Sequence, residues 1–124
     1  MLVERSLTER IIGLAIEVHR HTGRGLLESI YQQCLCFELE RAGLPFEREV
    51  AIPVTYKGVI LDDGFRADIA VDRKVIIEIK AVTTLLPDHE SQLLTYLRMS
   101  GIRVGLLLNF KTSRLTDGLK RFVL

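Results

Sequence analysis

No stretch of this sequence stays apolar long enough to cross a bilayer; the longest apolar runs are short and broken by polar residues. The opening Met1-Leu-Val-Glu-Arg-Ser lacks the long apolar segment of a secretory signal. These two absences set the expectation of a cytoplasmic protein with no membrane partner. An excess of one charge is also missing: 17 Lys and Arg against 16 Asp and Glu leave a net charge of +1. A dedicated duplex-DNA binder is usually more basic, so any nucleic-acid contact has to come from a local patch. Cysteine is scarce, with only Cys34 and Cys36 present. Two positions apart on a helix they point to nearly opposite sides, which argues against a mutual disulfide. Two are also too few for a closed zinc or iron–sulfur site without histidines or a second chain, so they read as ordinary helix residues in a reducing compartment. There is no P-loop, dinucleotide fingerprint or nucleophile elbow. His19, His21 and His89 are scattered, none beside a credible nucleophile, and His89 reads as a polar helix-start residue.

What is present is material for one core. The chain has 124 residues, 48% of them hydrophobic, with no repeat, low-complexity stretch or linker. The expectation is a single domain over 1–124. Ser6-Leu-Thr-Glu9 reads as a capping box that starts a first helix, with Ile11, Ile12, Ala15, Ile16 and His19 at helical spacing. Thr22-Gly-Arg-Gly25 breaks it. A second helix is expected from Leu27 to Ala42, with an apolar stripe of Leu27, Ile30, Tyr31, Cys34, Leu35 and Leu39, and Gly43 as its stop. Val50, Ile52, Val54 and Tyr56 alternate as in one half-buried strand; Lys57-Gly58 reads as a turn, and Val59 to Leu61 can pair back before Asp62-Asp63-Gly64. Two further strands, Phe65 to Val71 and Val75 to Ala81, are joined at Asp72-Arg73-Lys74. Pro87 opens a third helix, with Asp88 and Glu90 suited to its positive end, and it stops near Gly101. Val104 to Leu108 reads as a buried strand, and the tail from Thr112 as a short helix leading into Phe122. The order α-α-β-β-β-α-β implies an α/β sandwich around a central mixed sheet.

The strongest local oddity is charge inside strands. Val75-Ile-Ile-Glu78-Ile-Lys80-Ala is apolar apart from one acid and one base, which share a strand face because they are two apart. Asp68, within Phe65-Arg-Ala-Asp-Ile-Ala-Val, has the same character. Burying charge is costly unless it is paired or coordinates a metal. A three-residue loop at Asp72, Arg73 and Lys74 pairs Val71 with Val75 and so sets Asp68 opposite Glu78 on one face; a two-residue loop sets it opposite Ile77, on the wrong one. Two adjacent carboxylates repel, and a divalent cation between them relieves this; oxygen ligands with open water positions suit Mg²⁺ or Mn²⁺. Such a metal acidifies water and stabilises charge on a phosphoryl oxygen, with Lys80 beside it to orient water and neutralise developing charge. The same residues also fit a surface ion pair between Lys80 and either acid.

Asp68, nine intervening residues, then Glu78-Ile79-Lys80 resembles the D…(D/E)xK signature of the PD-(D/E)XK nuclease superfamily, with Ala67 in place of the proline before the aspartate. The literal Pro87-Asp88 has no ExK after it. A closer likeness is to the bacterial family named for its GxxExxY motif, here Gly25-Leu-Leu-Glu28-Ser-Ile-Tyr31. It continues through Ile52-Pro-Val-Thr-Tyr56-Lys-Gly58, Arg66-Ala-Asp68, Glu78-Ile-Lys80-Ala-Val82, Gln92-Leu-Leu-Thr-Tyr96-Leu-Arg98, Gly105-Leu-Leu-Leu-Asn109-Phe110 and Gly118-Leu-Lys-Arg121-Phe. Lys111 stands where that family more often has glycine. The resemblance implies a restriction-endonuclease-like fold and a metal set of Glu28, Asp68, Glu78 and Ile79, with Glu28 completing the site directly or through water. It also implies that Gln92 and Tyr96, four apart on one helix face, match the QxxxY element of RecB-like nucleases beside the site. Read without the resemblance, Glu28 is a solvated helix-start acid and Tyr96 a core residue with its hydroxyl at the rim. Tyr31 reads as core.

The expected function is therefore a Mg²⁺- or Mn²⁺-dependent nuclease acting on DNA in preference to RNA. Its rivals are a nuclease-like accessory subunit of a larger assembly with a protein partner, and a junction resolvase, which requires a homodimer. Arg20, Arg24, Arg66, Arg98, Lys111, Arg114, Lys120 and Arg121 are the cations that could guide phosphates; sequence does not say whether any of them share a face.

Overall fold

Helix α1 spans Arg5–Thr22 and α2 spans Glu28–Arg41. The computed structural model describes residues 3–62 and 64–124, so Met1, Leu2 and Asp63 of the expected Asp62-Asp63-Gly64 break lie outside it. The Ser6 capping box does not form. The helix starts one residue earlier, behind Glu4 in a left-handed conformation (φ 53°), with no side-chain cap. Glu9 binds Arg5 instead, one turn back (3.0 Å). In α2 the buried stripe is Tyr31, Gln32, Leu35, Cys36 and Leu39. Leu27 and Ile30, expected in it, are exposed, because the sheet meets α2 further round its circumference. Both cysteines are free, and burial pushes the Cys36 thiol up to about 11, which makes it a poor nucleophile.

Five strands form the central sheet in the order β1 (Phe46–Ala51), β4 (Arg66–Val71), β5 (Val75–Lys80), β6 (Val104–Asn109), β7 (Leu119–Val123). Only β5 and β6 run parallel; the other neighbours are antiparallel, so the sheet is mixed as expected. The segment read as one strand through Val50 and Tyr56 is two. It breaks at Ile52-Pro53, where proline has no N–H to give a ladder, and the chain leaves the sheet for a separate hairpin of β2 (Val54–Tyr56) and β3 (Val59–Leu61). Lys57 and Gly58 both take positive φ (49° and 83°), as a two-residue hairpin turn requires. The tail also differs from expectation: a single 3₁₀ turn, Leu115–Gly118, leads into β7, which pairs along β6.

Helices α1 and α2 cover one sheet face; α3 (Pro87–Ser100) covers the other. Pro87 is in its first turn, Gly101 (φ 77°) ends it, and the His89 ring accepts the Leu86 N–H at 3.0 Å, so His89 is a capping residue. Along β5 the faces alternate. Val75, Ile77 and Ile79 pack toward α1 and α2, while Ile76 packs toward α3 with Leu93, Tyr96 and Leu97. Gly105 lets α3 approach β6 closely: a Cβ there would sit 2.9 Å from Leu93 Cδ1. That close packing brings Tyr96, one turn along from Leu93, down onto the sheet. Among the described residues no helix is long and apolar enough to cross a membrane.

Candidate active site

The hairpin loop of three residues forms as the register argument requires. Val71 pairs with Val75, Ala70 with Ile76 and Ile69 with Ile77. There the pairing of β4 with β5 stops, while β5 stays paired with β6 as far as Lys80 and Asn109. The next residues along β4 and β5 are Asp68 and Glu78, and their side chains take over from the ladder. Glu78 Oε1 accepts the Asp68 N–H at 3.2 Å, and Asp68 Oδ2 accepts the Ile79 N–H at 2.8 Å. The sheet thus forks at Asp68, and two carboxylates fill the fork.

Strand β4 also changes face here. Ala67 packs toward α3 and Ile69 toward α1 and α2, although residues two apart on a regular strand share a face. Strand β1 does the same between Phe46 and Val50, around Glu49, whose φ is 50°. Gln32 on α2 fills the gap: its Nε2 donates to the Asp68 carbonyl and to Glu49 Oε1, both at 3.2 Å. Neither Gln32 nor Glu49 was expected at the site from sequence. Gln32 carried a usable signal, since it lies one turn after Glu28 on the same helix face. Nothing in the sequence marks Glu49 for its left-handed backbone.

The electrostatics follow from burial. Glu78 is 4% exposed, and desolvation pushes its carboxyl up to about 9, helped by the Asp68 charge and a hydrogen bond between the two side chains. Burial also raises Asp68, against the opposing pull of the Ile79 N–H and of Lys80. Lys80 is half-buried on the same β5 face as Glu78 and favours both ionised acids. Among the described residues it forms no ion pair within 4 Å, so the simple surface pair does not form. Tyr96 is 3% exposed with its ring edge-on to Phe65; burial, then the charges of Glu78 and Asp68, push its phenol up to about 12. Tyr96 is thus core and neighbour to the acids at once. Gln92, half-buried on the preceding turn of α3, makes no side-chain hydrogen bond among the described residues.

Glu28 comes from the first turn of α2, and its Oε2 accepts the Ala81 N–H at 3.1 Å, just past Lys80. It stands at the end of β5 but is not gathered with Asp68 and Glu78: among the described residues no three acids, histidines or cysteines form a metal-holding group. Ile79 can offer a cation only its carbonyl, because its N–H is given to Asp68. Asp68 Oδ1 and Glu78 Oε2 accept no N–H among the described residues. Two carboxylates with the rest water are a donor set that suits Mg²⁺ or Mn²⁺, which retain several waters. The donors present therefore fit such a cation.

Tyr31 explains how Glu28 is held. It is fully buried and stacked on Phe110 with ring centroids 4.4 Å apart. Its hydroxyl donates to the Gly23 carbonyl at 2.6 Å and accepts the Leu26 N–H at 3.1 Å. The loop before α2 is thereby pinned, and Glu28 begins the helix that follows. Tyr31→Phe keeps the stack and leaves both loop groups unpartnered, so a loss of about 1 kcal/mol is expected. It should appear as a lower urea midpoint at unchanged m. An unchanged midpoint would show that the loop holds itself.

The family model of the PD-(D/E)XK nuclease superfamily matches residues 5–122. The chain belongs to the PD-(D/E)XK nuclease superfamily. The mixed sheet with helices on both faces agrees with the restriction-endonuclease-like fold of that superfamily. Among solved structures, the crystal structure of SSO0001 is similar with a TM-score of 0.59 and 21% identity, over 97% of this chain. This chain spans 59% of that one, and the likeness concerns the fold alone. A comparison with curated proteins finds no match.

Proposed function

We propose that this superfamily member is a metal-dependent nuclease that hydrolyses phosphodiesters, DNA in preference to RNA, and that it falls in the group marked by Gly25, Glu28 and Tyr31. The observation that carries this is the fork in the sheet, where buried Glu78 and half-buried Asp68 meet beside a lysine that forms no ion pair among the described residues. Asp68 and Glu78 would hold Mg²⁺ or Mn²⁺, with the Ile79 carbonyl and Glu28 at its periphery. When bound, the cation supplies Lewis-acid stabilisation of phosphoryl charge. The Lys80 ammonium orients water and neutralises charge that grows on the scissile phosphate. Gln92 and Tyr96 border the acids from α3, the Tyr96 hydroxyl donating as a neutral phenol. Free cysteines agree with action in a reducing, cytoplasmic setting.

The test is cleavage of linear, nicked, branched and single-stranded DNA and of RNA, each with Mg²⁺ or Mn²⁺. Metal binding is tested separately by thermal shift. Mn²⁺ at a hundredfold excess over its Kd should stabilise the wild type by about 2.7 kcal/mol. Asp68→Asn should lose most of that shift without unfolding, and an identical shift in both would exclude Asp68 as a ligand. One observation favours a second reading, a nuclease-like subunit in a larger assembly. Tyr56, Val59, Ile60 and Leu61 are exposed on a two-stranded hairpin whose outer edges pair with no other strand among the described residues. Metal binding with no cleavage of any substrate would select it.

A further inference from the structure

We propose that the groove between the last turns of α1 and the loop from β6 to the 3₁₀ turn is a phosphate-binding track for one polynucleotide strand entering or leaving the site. The inference rests on the nuclease reading above and adds the path of its substrate. The groove is a cavity of about 430 Å³, and Arg20 and Arg114 stand on its two walls with the hydroxyls of Ser113 and Thr116. Its lining carries both arginines and no acid, whereas three other cavities are lined in part by acids. The others carry Glu17 and Glu38, or Glu47, or Glu47 with Asp72. Two more exposed cations are close in sequence to the lining, Arg24 next to Gly23 and Lys111 two residues before Ser113. A protein of net charge +1 has little cation to spare, so this concentration is informative.

The walls are fixed and tied to the candidate site. Buried His19 holds the loop through Nε2 to the Thr112 carbonyl at 2.9 Å. Phe110 donates its N–H to the Lys80 carbonyl at 2.9 Å, and Asn109 Oδ1 accepts the Val82 N–H at 3.1 Å, so the loop springs from beside the end of β5. Gly23, on the opposite wall, is the residue that Tyr31 grips one turn from Glu28. Of the other candidate cations, Lys120 binds Glu90 at 2.6 Å, Arg66 donates to the Glu49 carbonyl and Arg121 to the Val3 carbonyl, while exposed Arg98 is on α3 and does not line the groove. Arg114 is engaged only through Nε, by Asp117 at 3.5 Å, and its exposed end remains available.

The experiment compares the full chain carrying Arg20→Glu with Arg114→Glu against a control carrying Arg73→Glu with Lys74→Glu. The control makes the same charge change in the β4–β5 loop at the other end of β5. Binding of fluorescent single-stranded and duplex DNA, and of the matching RNA, is titrated in Ca²⁺ over a range of salt. The groove variant should bind at least about tenfold more weakly, and its salt slope should shrink by about 1.4 on single strands and about 1.8 on duplex, two phosphates' worth. The control should stay near wild type, and Arg20→Gln with Arg114→Gln should fall between. The control should also cleave like the wild type, and because the groove is read from binding alone, its outcome is separate from that of the nuclease reading. A shrunken slope in a protein that cleaves nothing would keep the groove and sink the nuclease. Equal losses in groove and control variants, an unchanged slope, or no polynucleotide binding by the wild type would overturn the groove.

Discussion

Lys80→Ala lowers the rate of phosphodiester cleavage by about 10²–10³ and leaves substrate affinity nearly unchanged; this is the expected loss for one preorganised electrostatic contact made mainly in the transition state. The reasons lie in how the residue is set. Its backbone is fixed to β6, paired with Asn109 and accepting the Phe110 N–H. Its side chain is half-buried on the α3 side of β5, beside Glu78, where both acids feel its charge. It has no ion pair within 4 Å among the described residues, so no partner must be broken before it meets a phosphate. A protonated amine is a donor and a point charge but not a metal ligand, so its removal should spare cation binding. The measurement is single-turnover cleavage at saturating enzyme in Mn²⁺, paired with binding in Ca²⁺ and a Mn²⁺ thermal shift. A parallel loss of affinity and rate would make Lys80 a phosphate holder. Undiminished cleavage would place the chemistry elsewhere or in a contaminant.

The parts of this molecule that were legible in its sequence are those where local chemistry leaves one choice. Pro87 and Gly101 bracket α3 because a proline suits a helix start and a left-handed glycine its end. The convergence of Asp68 and Glu78 followed from counting: a three-residue loop is the register that puts both acids together, and the structure has it. Their burial was foreshadowed by acids lying in otherwise apolar strands. The parts that were not legible depend on contacts distant in sequence. Ser6 offers an oxygen for a cap, yet the chain before it turns left-handed at Glu4 and the helix begins without it. Strand β7 pairs with β6 alone and has no fully buried residue, so its sequence carries no clean apolar alternation to read. Ile52 alternates with Val50 and Val54, but pattern counts take no account of the N–H that Pro53 lacks. Gln32 is a polar residue within a buried stripe; it is satisfied by the Asp68 carbonyl and by Glu49 Oε1, two acceptors distant in sequence.

Glu78→Gln should abolish cleavage and, in the absence of metal, stabilise the fold. Both effects come from the same burial. In the unfolded chain the Glu78 carboxyl titrates near 4.5, and in the folded protein burial and the Asp68 charge push it up to about 9. The folded state therefore binds the extra proton across that interval. Stability is full below about pH 4.5, falls as pH rises toward 9, and levels off above it. The ceiling on the slope is about 1.4 kcal/mol per pH unit for one proton, before solvent and side-chain relaxation reduce it. Glutamine at 78 carries no charge, and its carbonyl oxygen can still accept the Asp68 N–H, so the fork stays closed while the slope disappears. The chemical loss is separate: one of the two carboxylates proposed to hold the cation is gone, and Mn²⁺ should no longer stabilise the variant as it does the wild type. In the wild type Mn²⁺ should do what the proton does at low pH, and so flatten the stability curve above neutrality. The measurement is urea unfolding from pH 5 to 9, with and without Mn²⁺, for wild type and Glu78→Gln. A metal-free wild type whose stability rises over that range would mean that Glu78 is ionised and satisfied by the protein itself, and the case for a cation between the two acids would fall with it.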